Sequence, residues 1–114
     1  MEIRTATAND LEALKIIQRE VQQLHLAAHP EIFRPASDEE LSAAMQSFLA
    51  DAAQHVWVAA EKEALLGFAV AHIADTSGNP YRQPTRIGHV DQIAVRESAR
   101  RQGVGRALLA EIRR

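Results

Sequence analysis

The sequence predicts an α/β domain in which a mixed, mostly antiparallel sheet is flanked by helices, in the order β-α-α-β-β-β-α. Three observations support this fold class. Apolar residues recur at helical spacing in the first half of the chain, two strand-like runs follow with four residues between them, and a third run leads through a polar turn into a last helix. With 114 residues, 46% of them hydrophobic, the chain can form one core. We therefore expect a single domain over residues 1–114.

The N-terminal region predicts a short strand followed by a helix. Residues 2–6 alternate weakly between polar and apolar, which favours a strand. Asn9 and Asp10 are natural helix caps, so we expect a first helix over about 10–26. Its buried stripe is predicted from the helical spacing of Leu11, Leu14, Ile17, Val21 and Leu24.

A second helix is predicted after a loop over 29–36, which Pro30 and Pro35 bracket. Ser37 or Asp38 caps this helix, because the residues from Ser37 onward have the spacing of a capping box and place acidic groups in the first turn. Its predicted inner face consists of Leu41, Met45, Phe48 and Leu49.

The apolar period changes to that of strands in the second half of the chain. Residues 55–60 and 65–73 are rich in β-branched and aromatic residues, and the short connection between them predicts an antiparallel hairpin. Residues 75–86 contain a glycine, two prolines and no apolar period, which indicates a long surface loop. A further strand is expected over 87–95. Two aromatic residues of the hairpin are predicted to lie in the core: Trp57 and Phe68.

The last helix is predicted to start at about residue 103. Its apolar stripe consists of Val104, Leu108 and Ile112. Arg113 and Arg114 suit a helix C-terminus because they are cationic. The sequence stops about three turns into this helix, before the strand that should come next, so the domain over 1–114 is expected to be incomplete at its C-terminus.

Composition and charge narrow the class of function. The chain has no cysteine, which excludes disulfides and thiolate chemistry, and it lacks a signal peptide and any run of the ~18 apolar residues that a membrane helix needs. A cytoplasmic protein without a membrane partner is expected. The net charge is −2, but residues 96–114 carry six arginines against two glutamates. This uneven distribution favours a local anionic ligand over nucleic acid, although a solvated basic helix has the same charge pattern.

The region from Gln92 to Leu109 carries the chemistry. It predicts a strand, a polar turn containing Gly103-x-Gly105, and the first turn of a helix. A helix N-terminus presents unpaired N–H groups that suit phosphate, and glycines there leave room for a bulky anion. The neighbouring arginines can add charge and bidentate hydrogen bonds. A dinucleotide-binding fingerprint does not fit, because the third glycine and its Gly-rich βαβ unit are missing.

Arg100-x-x-Gly103-x-Gly105, preceded by the apolar strand end Ile93-Ala94-Val95, resembles the acyl-CoA signature of the GNAT superfamily of N-acyltransferases. The order of elements is also similar to the N-terminal half of that fold. The resemblance implies acetyl-CoA as co-substrate, with main-chain N–H groups from Arg101 to Arg106 holding the pyrophosphate and main-chain groups of the strand pairing with the pantetheine arm. The implied acyl-CoA-binding residues are Ile93, Ala94, Val95, Arg100, Arg101, Gln102, Gly103, Val104, Gly105 and Arg106.

The implied reaction moves an acetyl or other acyl group to a primary amine, on a small molecule or a peptide, and it needs a base because most amines are protonated at pH 7. His89 and Asp91 are the candidate catalytic bases: they stand two apart on the predicted strand, at positions where the family carries a base. Either could instead be a structural residue, and a β-bulge in this strand could change which residue faces the cleft. Tyr81 is the only tyrosine and lies in the predicted loop, so it is a poor match for the family's general acid.

The other histidines lack metal-ligand spacing, and no metal site is predicted. By resemblance, residues 26–33 are expected to contact the acceptor. An open last strand further predicts a homo-oligomer or swapped dimer. The alternative to an enzyme is a half-domain of this fold that binds acyl-CoA or a partner without turnover.

Overall fold

The computed structural model describes residues 1–112 and confirms the predicted order of elements. The strands and helices are β1 Glu2–Thr5, α1 Leu11–Ala28, α2 Asp38–Ala50, β2 Gln54–Glu61, β3 Ala64–Thr76, β4 Thr85–Val95 and α3 Val104–Ile112. The two arginines expected at the end of α3 lie outside the described residues. Within those residues, no helix is both long enough and apolar enough to cross a membrane.

The sheet has the strand order β1-β2-β3-β4, and all neighbouring strands are antiparallel. The predicted hairpin is confirmed: β2 and β3 are joined by a two-residue turn in which Lys62 adopts a positive φ of 58°. The connection between β3 and β4 is shorter than expected. Asp75 pairs with Arg86 and Thr76 with Thr85, so that only residues 77–84 remain outside the ladder.

Helices cover both faces of the sheet, and each face has its own core. On one face, α1 and α2 pack against the sheet, and the core between them consists of Leu14, Ile17, Met45, Val56, Val58, Leu65, Phe68, Val70 and Ala94. On the other face, α3 packs against the sheet, and this second core consists of Ala59, Ala69, Ala99, Val104 and Leu108. Phe68 is fully buried as predicted, whereas Trp57 is only half-buried at the edge of the second core. Leu24 is 42% exposed, whereas Leu26 is half-buried and lines a groove together with Leu41 of α2.

Close packing at one glycine brings the end of β4 against α3. A Cβ atom on Gly67 of β3 would lie 2.6 Å from the main-chain oxygen of Ala94 and 3.2 Å from Cγ1 of Val104. Only glycine fits there without a shift of the backbone. Gly67 therefore fixes the distance between the strand and the helix that flank the Gly103-x-Gly105 turn.

The two predicted helix caps behave differently. Ser37 forms the expected capping box, because its Oγ accepts the N–H of Glu40 at 3.1 Å and its own N–H donates to the Glu40 carboxylate at 3.0 Å. Asp10 precedes α1, but its side chain does not cap that helix. It accepts two hydrogen bonds of 2.9 Å from the Arg4 guanidinium and one of 2.8 Å from the N–H of Thr7.

Replacing Asp10 with asparagine is expected to lower the free energy of unfolding by about 1–3 kcal/mol at pH 7, since Arg4 loses a bidentate, partly buried partner. The hydrogen bond from Arg4 lowers the pKa of the Asp10 carboxyl in the fold. A lowered folded pKa contributes stability that is complete above the unfolded value of about 3.9 and is lost as pH falls through the folded value. The difference between wild type and variant should therefore shrink in urea unfolding between about pH 5 and pH 2.

Glu2 provides the matched control, because its carboxylate also faces Arg4, at 3.7 Å, but is 70% exposed. Glu2→Gln should change the free energy of unfolding by less than about 0.5 kcal/mol. Equal effects of the two substitutions would show that the Arg4–Asp10 pair has no special role in the fold.

Candidate active site

The last residues of β4 present main-chain groups at a free edge of the sheet. The N–H of Arg96 donates to Leu66 O of β3 at 2.9 Å. Because main-chain groups alternate along a strand, those of Ile93 and Val95 point away from β3. Within residues 1–112, β4 is an outer strand with no further neighbour. An extended ligand can therefore pair with these two residues as an added strand would, once the Arg100 side chain, whose Nε donates to Val95 O, moves aside.

The turn after β4 leads directly into the N-terminus of α3. Arg101 and Gly103 have positive φ values of 66° and 81°, so this turn reverses the chain through left-handed backbone. The first bond along the helix runs from the Ala107 N–H to Gly103 O, at 3.0 Å. The N–H groups of Val104 and Gly105 precede this bond, which leaves them unengaged by the helix.

A depression of about 470 Å³ lies in front of these N–H groups, and its lining consists of Val95, Ala99, Arg100, Arg101, Gly103, Val104, Gly105 and Arg106. A Cβ atom on Gly103 would meet no other atom within 4 Å, and one on Gly105 would lie 3.9 Å from Cγ2 of Val95. Backbone conformation favours a glycine at 103, because its φ is positive, but neither conformation nor packing favours one at 105. The protein itself leaves this space open.

The charge around the depression is positive. The first turn of α3 contains no acidic residue, and the side chains of Arg101 and Arg106 are exposed at its rim. Arg100 folds back so that its Nε donates to Val95 O at 3.3 Å. Together with the helix N-terminus, these groups give the depression the electrostatics of an anion site.

The start of this turn is tied to α1. The N–H of Glu97 donates to the carboxylate of Glu20, and the Gln102 side chain donates to Ser98 O at 3.3 Å within the turn. Ala99 is buried against α3 in the second core. These contacts hold the turn, and they leave its outward-facing N–H groups free.

A β-bulge interrupts β4 at the candidate bases. Val70 pairs with Gln92 and Ala71 with Val90, so Asp91 is the extra residue. His72 of β3 is the cross-strand partner of His89, and their rings stack with centroids 5.1 Å apart and 16° between planes. His72 Nδ1 also lies 2.7 Å from Asp91 Oδ2. His72 therefore contacts both of the residues that the sequence predicted as bases, His89 and Asp91.

His72 was not identified as a site residue from the sequence, because its partners are 17 and 19 positions away and depend on the register of the β3–β4 ladder. The predicted alternation also assumed a regular strand over 87–95, which the bulge breaks. His72 shares a face of β3 with Phe68 and Val70, so the cluster lies on the α1 side of the sheet. Among the described residues, no group of three or more His, Cys, Asp or Glu side chains is arranged to hold a metal ion.

The remaining candidates lie apart from this cluster. Tyr81 is 93% exposed in the 77–84 connection, where it contributes to no core. Leu26 lines a groove of about 250 Å³ between α1 and α2. In the segment expected to contact the acceptor, the rings of His25 and Phe33 stack with centroids 4.8 Å apart.

The structure combines an antiparallel sheet with an outer strand that runs through a glycine turn into a helix N-terminus. The acetyltransferase (GNAT) family model matches residues 19–114. The chain belongs to the GNAT acetyltransferase family. No curated protein matches the sequence.

Solved structures of this fold are similar over nearly the whole chain. The tetramutant of the BH1408 protein from Bacillus halodurans is 25% identical with a TM-score of 0.87, covering 98% of this chain and 72% of that one. Aminoglycoside antibiotic 6'-N-acetyltransferase AAC(6')-Ig from Acinetobacter haemolyticus is 18% identical with a TM-score of 0.71, over 99% and 69%. A predicted acetyltransferase from Clostridium acetobutylicum, solved with acetyl-CoA, is 19% identical with a TM-score of 0.66, over 97% and 70%.

Proposed function

We propose that this chain binds acetyl-CoA and transfers the acetyl group to a primary amine, which attacks the thioester directly. The observation that carries the proposal is the open space in front of Gly105. Unengaged N–H groups and arginines surround this space, and no side chain of the protein fills it. A direct attack fits the composition, since the chain has no cysteine to act as an acyl carrier.

The residues present fit acetyl-CoA along a continuous path. Main-chain N–H groups from Arg101 to Arg106 would hold the pyrophosphate, with the arginines adding charge-assisted hydrogen bonds. The outward main-chain groups of Ile93 and Val95 would pair with the pantetheine arm. When bound, acetyl-CoA supplies an activated acyl group as a thioester. The fit is supported by a related structure of this fold that was solved with acetyl-CoA.

The chain's own groups would then act on the acceptor near the bulge. A main-chain N–H of β4 would polarise the acyl carbonyl oxygen, on which negative charge develops during the attack. The candidate bases His89 and Asp91 would accept the proton that the amine loses. Residues 26–33 would contact the remainder of the acceptor. Aminoglycosides are reasonable first acceptors to test, since AAC(6')-Ig shares this fold.

Binding and turnover can be tested separately. Acetyl-CoA and CoA should raise the midpoint of thermal unfolding, by the equivalent of about 2.7 kcal/mol at 100 times Kd, whereas NAD should have little effect. A thiol-release assay with aminoglycosides, polyamines and N-terminal peptide amines then measures transfer. Stabilisation without thiol release from any acceptor would make the chain an acyl-CoA-binding module, and no preference for CoA over NAD would contradict the proposal altogether.

We also propose a cytoplasmic location, which is compatible with a sequence that has no cysteine. We further propose self-association through the outer edge of β4. Two apolar side chains near the start of that strand, Ile87 and Val90, are 49% and 42% exposed. A single-chain mass at micromolar concentration in light scattering would contradict the self-association.

A further inference from the structure

The His72–Asp91 pair is the best-defined polar contact near the bulge. Nδ1 of His72 lies 2.7 Å from Oδ2 of Asp91, and the two side chains are 33% and 31% exposed. The contact is therefore partly shielded from water, while solvent or a ligand can still reach the pair. This combination suits a group that must be held in place and also exchange a proton.

Hydrogen-bond chemistry assigns the roles within the pair. A carboxylate can only accept, so the contact requires a proton on Nδ1 of His72. A neutral imidazole with its proton on Nδ1 keeps a free lone pair on Nε2. An aspartate that holds Nδ1–H in this way fixes both the tautomer and the direction of the ring, as it does for the general base of hydrolytic triads.

Stacking with His89 adds a second constraint on the His72 ring. The two residues are cross-strand partners, and their rings lie 5.1 Å apart and 16° from parallel. Within residues 1–112, the side chain of His89 has no hydrogen-bond partner, and His89 is exposed. Of the three groups, His72 has its ring fixed by two contacts and also keeps a free acceptor atom.

The bulge produces this arrangement next to the proposed ligand path. Asp91 is the extra residue of β4, and its carboxylate turns to the face that carries His72. The strand resumes its register at Gln92, whose side chain donates to Gln18 of α1 at 2.5 Å. Ile93, whose main-chain groups point away from β3, follows directly. The pair thus lies where the strand that would bind pantetheine changes direction.

We propose that His72 takes the proton from the acceptor amine, with Asp91 as the positioning residue and His89 holding the ring plane. In this step the amine nitrogen forms a bond to the acyl carbon and its N–H bond breaks toward Nε2 of His72. The C–S bond breaks with its electron pair going to the CoA sulfur. The assignment rests on the proposed acetyl transfer, and it moves the role of base from the candidates His89 and Asp91 to His72.

His72→Gln is the first test, because glutamine keeps a polar side chain but cannot take a proton. In the full chain, kcat should fall about 100-fold while the Kd for acetyl-CoA changes less than about twofold. His55→Gln is the matched control. His55 also lies on a central strand and stacks on an aromatic ring, Trp57, at 5.6 Å, but it lies on the opposite face of the sheet. This control should keep the wild-type kcat.

Long-range ¹H–¹⁵N NMR of the histidine rings gives an independent readout. Wild-type His72 should be the tautomer with its proton on Nδ1, and Asp91→Asn should shift it toward the other tautomer and lower kcat. If wild-type His72 carries its proton on Nε2, the assignment is wrong, and this result does not depend on whether a variant folds.

The two proposals fail in different ways. Wild-type turnover that survives in His72→Gln, at the level of His55→Gln, overturns the role of His72 and leaves acetyl transfer intact. A wild-type chain that neither binds acetyl-CoA nor releases thiol overturns the proposed function itself.

Discussion

Replacing Phe68 with alanine is expected to lower the free energy of unfolding by about 3–5 kcal/mol. Phe68 is fully buried and packs in the first core between the sheet and α1, where Leu14 and Ile17 lie. Removing the ring loses its transfer free energy and leaves a cavity that the surrounding strands can only partly close. Since a domain of this size is stable by only about 5–15 kcal/mol, the midpoint of urea unfolding should move far toward zero denaturant.

Phe33 is the control for this substitution, because it is only half-buried. It lies in the connection between α1 and α2 and stacks on the ring of His25. Phe33→Ala should lower the free energy of unfolding by about 1 kcal/mol. Phe68→Leu should fall between the two, because it keeps part of the packing. If Phe68→Ala were no more destabilising than Phe33→Ala, the face under α1 and α2 would not be the main core.

Elements that depend on neighbouring residues were predictable from the sequence. The capping box at Ser37 and the hairpin between β2 and β3 each arise from contacts over a few positions. Asp10 shows where this approach stops. The same carboxylate can cap a helix or pair with a guanidinium, and local spacing cannot tell that Arg4, six positions earlier, lies within 2.9 Å.

The β3–β4 hairpin shows a second limit. The ends of these strands were interpreted as loop because residues 75–86 have no apolar period. An apolar period appears only where one face of a strand is buried. At this end of the β3–β4 ladder the side chains make polar contacts instead, such as the 2.8 Å hydrogen bond from Arg86 to Asp75. The resulting register, with its bulge, decides that His72 meets Asp91, so the cluster could not be predicted without the ladder.

The acyl-CoA signature was recognisable because its parts are consecutive along the chain. A strand end, a glycine turn and a helix N-terminus occupy residues 93–106, and chain order alone brings their main-chain groups to one place. The structure adds a distinction between the two glycines. Gly103 has a φ of 81°, which favours glycine whatever binds there, whereas Gly105 has neither a positive φ nor a close neighbour. A substitution at Gly105 should therefore change the affinity for the ligand without changing the stability of the fold.

Replacing Gly105 with tryptophan is expected to raise the Kd for CoA by about 10³-fold or more. The indole would occupy the depression in front of the helix N-terminus, where the pyrophosphate is proposed to bind. Each hydrogen bond to a charged group contributes about 1.5–3 kcal/mol, so losing two or more of them accounts for a change of this size. Isothermal titration with CoA and acetyl-CoA measures the effect directly.

The fold should tolerate this change, because a Cβ atom at 105 would lie 3.9 Å from Cγ2 of Val95 and tryptophan has a higher helix propensity than glycine. The free energy of unfolding without ligand should therefore stay within about 1 kcal/mol of wild type. Gly103→Trp is a poorer test, since strain at its positive φ would disturb the turn as well.

Gly88→Trp is the matched control: its Cβ would also enter open space on β4, but away from the helix N-terminus, so CoA affinity should be unchanged. A Gly105→Trp chain that is as stable as wild type and still binds CoA equally well would place the diphosphate elsewhere and remove the basis of the proposed function.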